Sequence, residues 1–351
     1  MNMDGIVPFI SVVIPCRNEQ GFIRECLESV LDNDYPRDKM EVLVIDGMSD
    51  DGTREIVGIY EQKYPFLKLL DNEKKIVSAA LNKGIEISRG EVILRMDAHN
   101  VYDKSYIKKC VAGLSRHKAD NVGGLCITLP RKNTVICRSI AVGLSHPFGV
   151  GNSYFRLGFK TPRCVDTVPF GCFRKETFEK IGMFDEDLAR NQDDELNSRL
   201  IKGGGRIVLD PEIISYYYAR DSIVKLWKMF YQYGYFKPLV VKKVKKIATF
   251  RQLMPVFFVG GLSFSVLLSM ISIKFMFYFF LPLVSVYVLV SFAAAVFISF
   301  RKNSAAYLFS MPLVFIVLHA SYGLGYLKGL FDFFVLNKNS KKIAAGIGIT
   351  R

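Results

Sequence analysis

Short β-branched runs alternate with longer amphipathic stretches along the first part of the chain. Runs of Val, Ile and Leu that end at Pro, Gly or Asp predict buried strands, and the stretches between them predict helices. The strands are expected at Phe9–Pro15, Glu41–Ile45, Phe66–Leu70 and Glu91–Met96, and the helices at Glu19–Leu31, Thr53–Lys63 and Ile76–Ser88. This order predicts βαβ units, and therefore an α/β fold with a Rossmann-like, mostly parallel, doubly wound sheet.

The section from 103 to 215 has a less regular pattern. The predicted elements are helices at Ser105–His117, Lys175–Ile181 and Asp193–Lys202, and strands at Val122–Ile127, Val165–Phe173 and Arg206–Leu209. The Gly- and Pro-rich stretch around 143–163 is expected to be irregular.

The apolar residues become nearly continuous after residue 254. The stretches Pro255–Ile273, Phe275–Phe300 and Tyr307–Leu327 each approach the length of about 20 residues that crosses a bilayer. They predict transmembrane helices, and the alternative is a buried helical hairpin of a soluble protein. Before them, residues 222–251 mix aromatic side chains with lysines, which suits helices at the level of the lipid headgroups.

These patterns predict four regions. They are a cytoplasmic α/β domain over 1–220, interfacial helices over 221–253, a transmembrane region over 254–336 and a basic tail over 337–351.

The formal net charge of +14 is concentrated partly before the first apolar stretch. The basic side chains there are Lys237, Lys242, Lys243, Lys245, Lys246 and Arg251. Such a cluster marks the cytoplasmic side of a membrane and attracts anionic lipid. We expect no nucleic-acid partner, because the charge does not follow a nucleic-acid-binding module.

The start of the chain lacks the pattern of a signal peptide. We therefore expect a multi-pass protein of the cell membrane whose catalytic part lies in the cytoplasm. The basic tail does not fit three complete spans under the positive-inside rule, so a re-entrant or interfacial stretch is an open alternative. The seven cysteines show no metal or disulfide spacing, which predicts reduced thiols.

Two acidic clusters carry the candidate chemistry. Asp97 and His99 follow the fourth predicted strand, where the carboxyl ends of strands bind ligands in open α/β sheets. An Asp and a His there are able to hold a divalent cation against a diphosphate. The second cluster, Asn191–Leu196, opens a predicted helix. Together they predict a transferase with a nucleotide-activated donor, a metal and a carboxylate base.

The motifs Ser11–Glu19, Val44–Thr53 and Asp97–His99 resemble those of family 2 glycosyltransferases with the GT-A fold. Val165–Arg174 and Asn191–Asn197 are similar to those of the ExoA-like branch, the membrane-attached enzymes of succinoglycan biosynthesis. The resemblance covers about residues 8–260. Each motif alone is weakly specific, but their order along the chain is specific.

The resemblance implies roles for individual residues. Asp46 and the loop from Pro15 through Arg17 to Glu19 would hold the nucleoside, with Asp97 nearby. Asp46 is alternatively a cap of the next helix.

The resemblance also implies that Asp97 and His99 bind Mn²⁺ or Mg²⁺. His99 departs from the common Asp-x-Asp motif, and an imidazole favours Mn²⁺ over Mg²⁺.

The family pattern Glu-Asp-x-Asp-Leu, aligned through Leu196, makes Asp193 the catalytic base, with Asp194 as the alternative. Many relatives carry Gln-x-x-Arg-Trp where this chain has Gln232 followed by Tyr and Phe. Arg220, Gln232 or Lys237 would then contact the acceptor or the diphosphate. The competing interpretation is that the aromatic residues of this region are interfacial anchors.

The expected function is an inverting transfer of a sugar from a nucleotide-diphosphate donor, expected to be UDP-linked, to a hydroxyl of a polyprenyl-linked acceptor at the bilayer. One alternative is direct transfer to polyprenyl phosphate, which needs no base because the acceptor is already an anion. An alternative of another class is a non-catalytic membrane scaffold that keeps the nucleotide-binding fold.

Overall fold

The computed structural model describes residues 7–245 and 250–338 of the protein. The chain forms two compact units. The first contains the residues up to Ile127 together with Gly158–Tyr217, and the second contains Thr128–Leu157 together with the chain from Tyr218. Lys246 and the tail after Lys338, which figured in the charge analysis, lie outside the described residues.

The first unit is built on a mixed sheet, which has nine strands within the described residues. The strands are β1 (Ile10–Cys16), β2 (Met40–Asp46), β3 (Leu67–Asp71), β4 (Val92–Arg95), β5 (Asn100–Tyr102), β6 (Asn121–Leu129), β7 (Arg163–Cys164), β8 (Cys172–Arg174) and β9 (Ile207–Tyr218). Their order is β3-β2-β1-β4-β8-β6-β9-β5, and β7 pairs with β9.

The first four strands are parallel, as the βαβ pattern predicts. The later strands extend the sheet with antiparallel pairs, including β4 with β8 and β5 with β9. All seven residues of β1 are buried, since helices cover both faces of the sheet. Alternate side chains of β1 face opposite layers: Val12 and Ile14 belong to one apolar cluster and Val13 to the other.

Of the first eight described α-helices, five belong to the first unit and three to the second. The first unit contains α1 (Ile23–Leu31), α2 (Thr53–Lys63), α3 (Val77–Ile87), α4 (Tyr106–Arg116) and α8 (Lys175–Ile181), and the second contains α5 (Val135–Gly143), α6 (Pro147–Val150) and α7 (Tyr154–Leu157). The sequence pattern predicts α1 to begin at Glu19, but it begins at Ile23, after Asn18 adopts a left-handed conformation with φ of 55°. Helix α5 is not predicted at all.

The predicted strand Val165–Phe173 is wrong over most of its length. Only Cys172–Arg174 forms β8, and residues 165–171 run as a loop after β7. Pro169 has no N–H to donate to a ladder. Phe170 and Gly171 have φ of 62° and 97°, which no strand accommodates.

Helix α9 (Gln192–Lys202) follows a left-handed Asn191, whose φ is 61°. The helix places three acidic residues, Asp193–Glu195, in its first turn, where the helix dipole favours negative charge.

The rest of the second unit consists of long helices. They are α10 (Ile223–Val244), α11 (Phe250–Ile271), α12 (Leu281–Lys302) and α13 (Ala306–Leu330), with π-helical segments at Met276–Phe280 and Phe331–Val335. Among the described residues, the segments Gln252–Ile271, Met276–Lys302 and Ala306–Val335 are long and apolar enough to cross a bilayer. Most of the first two segments is not covered by other parts of the protein, whereas half of the third segment is buried. Helix α13 therefore forms the interior of this unit.

Helix α13 contacts α10 at unusually short range. A Cβ on Gly325 would lie 2.2 Å from the carbonyl oxygen of Tyr231, and one on Gly329 would lie 2.2 Å from that of Tyr235. Glycines four residues apart let two helix backbones approach closely, as in helix pairs within membranes. The pairing also shows that the two helices run in the same direction.

A second contact surface of α13 faces α5 and α6. Ser139 Oγ lies 2.7 Å from Ser310 Oγ, and the two ring nitrogens of His319 lie 2.8 Å from the Phe148 carbonyl oxygen and 2.9 Å from the Tyr287 hydroxyl. Each polar group of His319 therefore has a partner, as a buried imidazole in an apolar helix requires.

Candidate active site

The carboxyl ends of the parallel strands meet at one edge of the sheet. Cys16, Asp46 and Asp71 are aligned across β1, β2 and β3, and Arg95 ends β4 beside β1. Polar side chains from different strands therefore lie at the same edge of the sheet, which is where open α/β sheets bind their ligands.

Arg95 joins the two acidic clusters that the sequence pattern singles out. Its Nε donates to Asp97 Oδ1 at 3.0 Å and its Nη2 to Asp97 Oδ2 at 3.3 Å, while Nη1 donates to Asp193 Oδ1. The Arg95 side chain is only 7% exposed. Two carboxylates that lie far apart in the sequence thus share one guanidinium.

The three acidic residues of the first turn of α9 have different surroundings. Asp193 is the one that contacts Arg95. Glu195 is buried and forms an ion pair with Arg199 within the same helix, with Nε 2.6 Å from Oε1. Asp194 is half-buried beside them.

Desolvation raises the pKa of Asp193 to about 6; the Arg95 guanidinium opposes this rise, and the charges of Asp97 and Asp194 add to it. A third of the Asp193 side chain is nevertheless exposed, so the group remains accessible. Burial by itself would lower the pKa of Arg95, but Asp193 and Asp97 raise it above its usual value. Arg95 therefore stays charged, and Asp193 titrates close to neutrality.

His99 is held on three sides. Its Nδ1 lies 3.4 Å from Glu19 Oε1, and its ring packs edge-on against Phe22 and Tyr217. Glu19 is itself buried, and Thr53 Oγ1 accepts from its backbone N–H. Glu19 thus contacts the imidazole, a contact that the sequence pattern does not predict.

Asp46 is fully buried, and both of its carboxylate oxygens have donors from the protein. The backbone N–H and hydroxyl of Ser49 donate to it, and Arg54 Nη1 donates at 2.8 Å. The other end of Arg54 pairs with Asp71, with Nη2 2.7 Å from Oδ1. Asp46 therefore orders the loop after β2 in this conformation.

Pro15 lies inside β1 and is buried, whereas Arg17 is half-buried at the strand end. The Arg17 side chain lies over Gly47, where an added Cβ would be 3.1 Å from Arg17 Cβ. The small residue after Asp46 thus makes room for a basic side chain at the crevice.

The sequence is similar to those of known proteins. Residues 11–182 match the family model described as glycosyl transferase family 2. A Methanococcus voltae protein, the dolichyl N-acetyl-α-D-glucosaminyl phosphate 3-β-D-2,3-diacetamido-2,3-dideoxy-β-D-glucuronosyltransferase, is 31% identical over 67% of this chain and 74% of its own length. The chain belongs to glycosyltransferase family 2.

Other relatives agree with this assignment. The succinoglycan biosynthesis protein ExoA of Rhizobium meliloti is 30% identical over 74% of this chain and 78% of its own length. The mannosyltransferase PcManGT from Pyrobaculum calidifontis, solved with GDP-Man and Mn²⁺, has a TM-score of 0.58 and 19% identity, and covers 93% of this chain and 88% of its own. This likeness shows the GT-A fold, and the predicted family and fold are confirmed.

The candidate metal ligands of this glycosyltransferase fit one kind of cation site. The side chains of Asp97 and His99 are 19% and 20% exposed. No group of three or more His, Cys, Asp or Glu side chains positioned to hold a metal occurs among the described residues. A cation that bridges a protein to a diphosphate takes only one or two protein ligands, because phosphate oxygens and water complete its shell. The chemistry of the pair fits such a cation.

The three weaker candidates all belong to the second unit. Arg220 is half-buried, whereas Gln232 and Lys237 lie in α10 and are buried. The neighbouring Tyr235 donates its hydroxyl to Asp332 Oδ2 at 2.8 Å, and its ring packs against Phe333. The Tyr235 side chain therefore packs against other residues of the second unit.

Sequence reasoning assigned no role to Arg95 or Tyr102. The Tyr102 hydroxyl accepts from the Asp97 N–H at 2.6 Å and lies 3.2 Å from the Asp97 carbonyl oxygen, so it fixes the turn after β4. One signal for Arg95 is present in the sequence: it is a charged residue at the end of an otherwise apolar strand, directly before the Asp-x-His motif. A buried arginine requires an acidic partner.

Proposed function

We propose that this family 2 glycosyltransferase transfers a sugar, with inversion, from a nucleotide-diphosphate donor to a hydroxyl of a polyprenyl-linked acceptor at the membrane. The observation that carries the proposal is the convergence of Asp97 and Asp193 on Arg95 at the carboxyl edge of the parallel strands. Transfer of a sugar from a nucleotide donor to a hydroxyl needs a diphosphate-binding end and a proton acceptor close to each other.

Asp193 acts as the base in this proposal. The acceptor O–H bond breaks and its proton passes to the Asp193 carboxylate, while the acceptor oxygen forms a bond to the anomeric carbon. The bond from that carbon to the diphosphate oxygen breaks, and its electron pair leaves with the nucleoside diphosphate. A single in-line displacement inverts the anomeric centre. The contact with Arg95 favours Asp193 over Asp194 for this role.

Asp97 and His99 would hold the divalent cation, Mn²⁺ or Mg²⁺. When bound, such an ion neutralises charge that develops on the departing diphosphate. The mixed oxygen and nitrogen donors favour Mn²⁺. The likeness to a mannosyltransferase solved with Mn²⁺ supports the use of a divalent cation.

The nucleoside is proposed to lie along the ends of β1 and β2, near Pro15, Arg17, Glu19 and Asp46. The half-buried Arg17 is the member of this set best suited to a phosphate or ribose oxygen. Because the Asp46 side chain is fully buried, its proposed contribution is to hold the loop that lines the nucleobase. A direct contact between Asp46 and the nucleoside would require that loop to open.

The second unit supports a lipid-linked acceptor at a membrane. Three of its described segments suit a bilayer in length and composition, and the exposed side chains of α11 include Phe264, Leu267 and Met270. The Methanococcus voltae relative is named for a dolichyl-phosphate-linked sugar, and a further relative is a β-monoglucosyldiacylglycerol synthase. We propose a multi-pass protein of the cell membrane with the first unit in the cytoplasm. Arg220, Gln232 and Lys237 remain proposed acceptor or diphosphate contacts.

A donor and acceptor screen tests the function. Full-length protein in lipid nanodiscs is mixed with radiolabelled UDP- and GDP-sugars, Mn²⁺, and either polyprenyl diphosphate oligosaccharide or polyprenyl phosphate. We expect transfer to the oligosaccharide and strong dependence on Asp193. Transfer only to polyprenyl phosphate, with Asp193→Asn still active, would instead establish the lipid-phosphate enzyme. Binding of a nucleotide sugar without transfer to either acceptor class would favour a scaffold.

A further inference from the structure

We propose that Arg95 is a positioning residue that fixes the catalytic base Asp193 to the carboxyl end of β4, beside the diphosphate-binding Asp97. This inference rests on the proposed function, because it assigns Asp193 the proton transfer. It adds a residue to which the sequence motifs give no role.

The contacts of Arg95 set the distance between the carboxylates of Asp97 and Asp193. The guanidinium meets Asp97 side-on through Nε and Nη2, at 3.0 Å and 3.3 Å, and turns Nη1 toward Asp193. Because the group is planar and rigid, occupation of one edge by Asp97 determines where the carboxylate on the other edge lies. A lysine ammonium is a point charge on a flexible stem and imposes no such spacing.

The platform under Arg95 is rigid. The backbone N–H of Arg95 donates at 3.1 Å to the carbonyl oxygen of Gly171, the residue directly before β8, and β4 pairs with β8 over the three residues before Arg95. Asp97 is clamped by the hydroxyl of Tyr102, and the Cys26 thiol lies 3.6 Å from its carbonyl oxygen. The sheet therefore fixes Arg95 and Asp97, the first two of the three residues that the guanidinium joins.

Asp193, the third of these residues, lies in the first turn of α9. The preceding Asn191 is left-handed, and helix ends are less firmly held than their middles. Contact of Arg95 with Oδ1 stops the Asp193 side chain from changing rotamer. The second carboxylate oxygen, Oδ2, is then available in a fixed direction to take a proton from the acceptor.

The burial of Arg95 explains why this link is effective. At 7% exposure the side chain is scarcely screened by water, so its interactions with Asp97 and Asp193 are much stronger than those of a surface pair. Arg95 does not reach the reacting atoms in this scheme, and of the two carboxylates it contacts, only Asp193 takes part in the proton transfer.

A double-mutant cycle tests the proposal. Wild type, Arg95→Gln, Asp193→Asn and the double variant are assayed in nanodiscs for turnover, donor KM and UDP affinity by calorimetry. We expect Arg95→Gln to lower kcat by roughly 10- to 100-fold, as loss of orientation does, with donor KM and UDP affinity within about twofold. Because Arg95 acts through Asp193, adding Arg95→Gln to Asp193→Asn should cause little further loss.

Two further variants guard against a simple folding defect. Arg95→Lys keeps a charge and is expected to recover part of the lost turnover. Arg89→Gln removes an arginine whose Nε lies 2.9 Å from Glu41 Oε2 at the opposite end of the strands, and it should leave kcat unchanged. Thermal unfolding in the same nanodiscs compares the stability of all variants.

Three outcomes overturn the inference while leaving the proposed function intact, provided that wild type is active and Asp193→Asn is strongly impaired. They are unchanged kcat in Arg95→Gln, losses that multiply in the double variant, and a raised donor KM at constant kcat. An inactive wild type across all donors and acceptors would instead refute the proposed function.

Discussion

Arg95 at the end of β4 donates to Asp193 in the first turn of α9, although the two residues lie 98 positions apart in the chain. The contact turns two separate acidic motifs into one site. It also distinguishes Asp193 from its neighbours, because Glu195 pairs within its own helix.

Replacement of Asp193 should strongly lower turnover with little effect on donor binding. We expect Asp193→Asn to lower kcat by about 10²- to 10⁴-fold, the usual contribution of a general base. Asp194→Asn is the matched control on the next residue of the same helical turn and should lose less than about tenfold by the same reasoning. Initial rates with a hydroxyl acceptor measure both. A larger loss for Asp194 would reverse the assignment.

The activity should have an acidic limb set by Asp193. A base must be ionised to accept a proton, so protonation of Asp193 below its pKa of about 6 removes activity. We expect kcat/KM to fall about tenfold per pH unit below that value and to be level just above it. Rates from pH 4.5 to 8, with folding followed by circular dichroism, provide the measurement. A limb near pH 4, typical of an exposed aspartate, would contradict it.

The ion preference should depend on His99. Chelation is expected to remove activity, and Mn²⁺ should restore it better than Mg²⁺ because an imidazole favours transition ions. His99→Asp restores the common Asp-x-Asp motif and should raise the ratio of Mg²⁺ to Mn²⁺ activity. Electron paramagnetic resonance of bound Mn²⁺ should show weaker binding in this variant. An unchanged ion ratio would place the cation away from His99.

The close contact of α10 with α13 should make Gly325 intolerant of any side chain. A Cβ there would meet the Tyr231 carbonyl oxygen at 2.2 Å, and backbone is not easily displaced. We expect Gly325→Ala to destabilise the protein by about 1–3 kcal/mol, as overpacking does. Gly260→Ala is the control, because a Cβ at Gly260 would have no neighbour within 4 Å. Equal unfolding temperatures for the two variants in detergent would refute the close contact.

Asp46 should contribute to stability through Arg54. Asp46→Asn removes a buried charged partner and is expected to cost about 1–3 kcal/mol. Asp71→Asn removes the other partner of Arg54, but Asp71 is exposed, so the loss should stay within about 1 kcal/mol. Urea unfolding measures both effects, and UDP calorimetry measures binding. Unchanged stability with abolished UDP binding would make Asp46 a direct nucleoside ligand.

The sequence alone determined the parallel part of the sheet, the fold family and the apolar segments. Each of these features can be inferred from local patterns of residues. Buried parallel strands read as continuous Val and Ile runs, spans read as long apolar stretches, and the motifs after β1, β2 and β4 have characteristic residues. The loop at 165–171 was mispredicted as a strand because apolar composition outweighed the backbone restrictions around Pro169.

Only the tertiary structure decided which polar groups meet. The pairing of Arg95 with Asp193, the contact of Glu19 with His99 and the enclosure of Asp46 all join distant parts of the chain. Local periodicity carries no information on such contacts, because they depend on how strands and helices pack. The packing of α5 against α13 through Ser139 and Ser310 is another such contact.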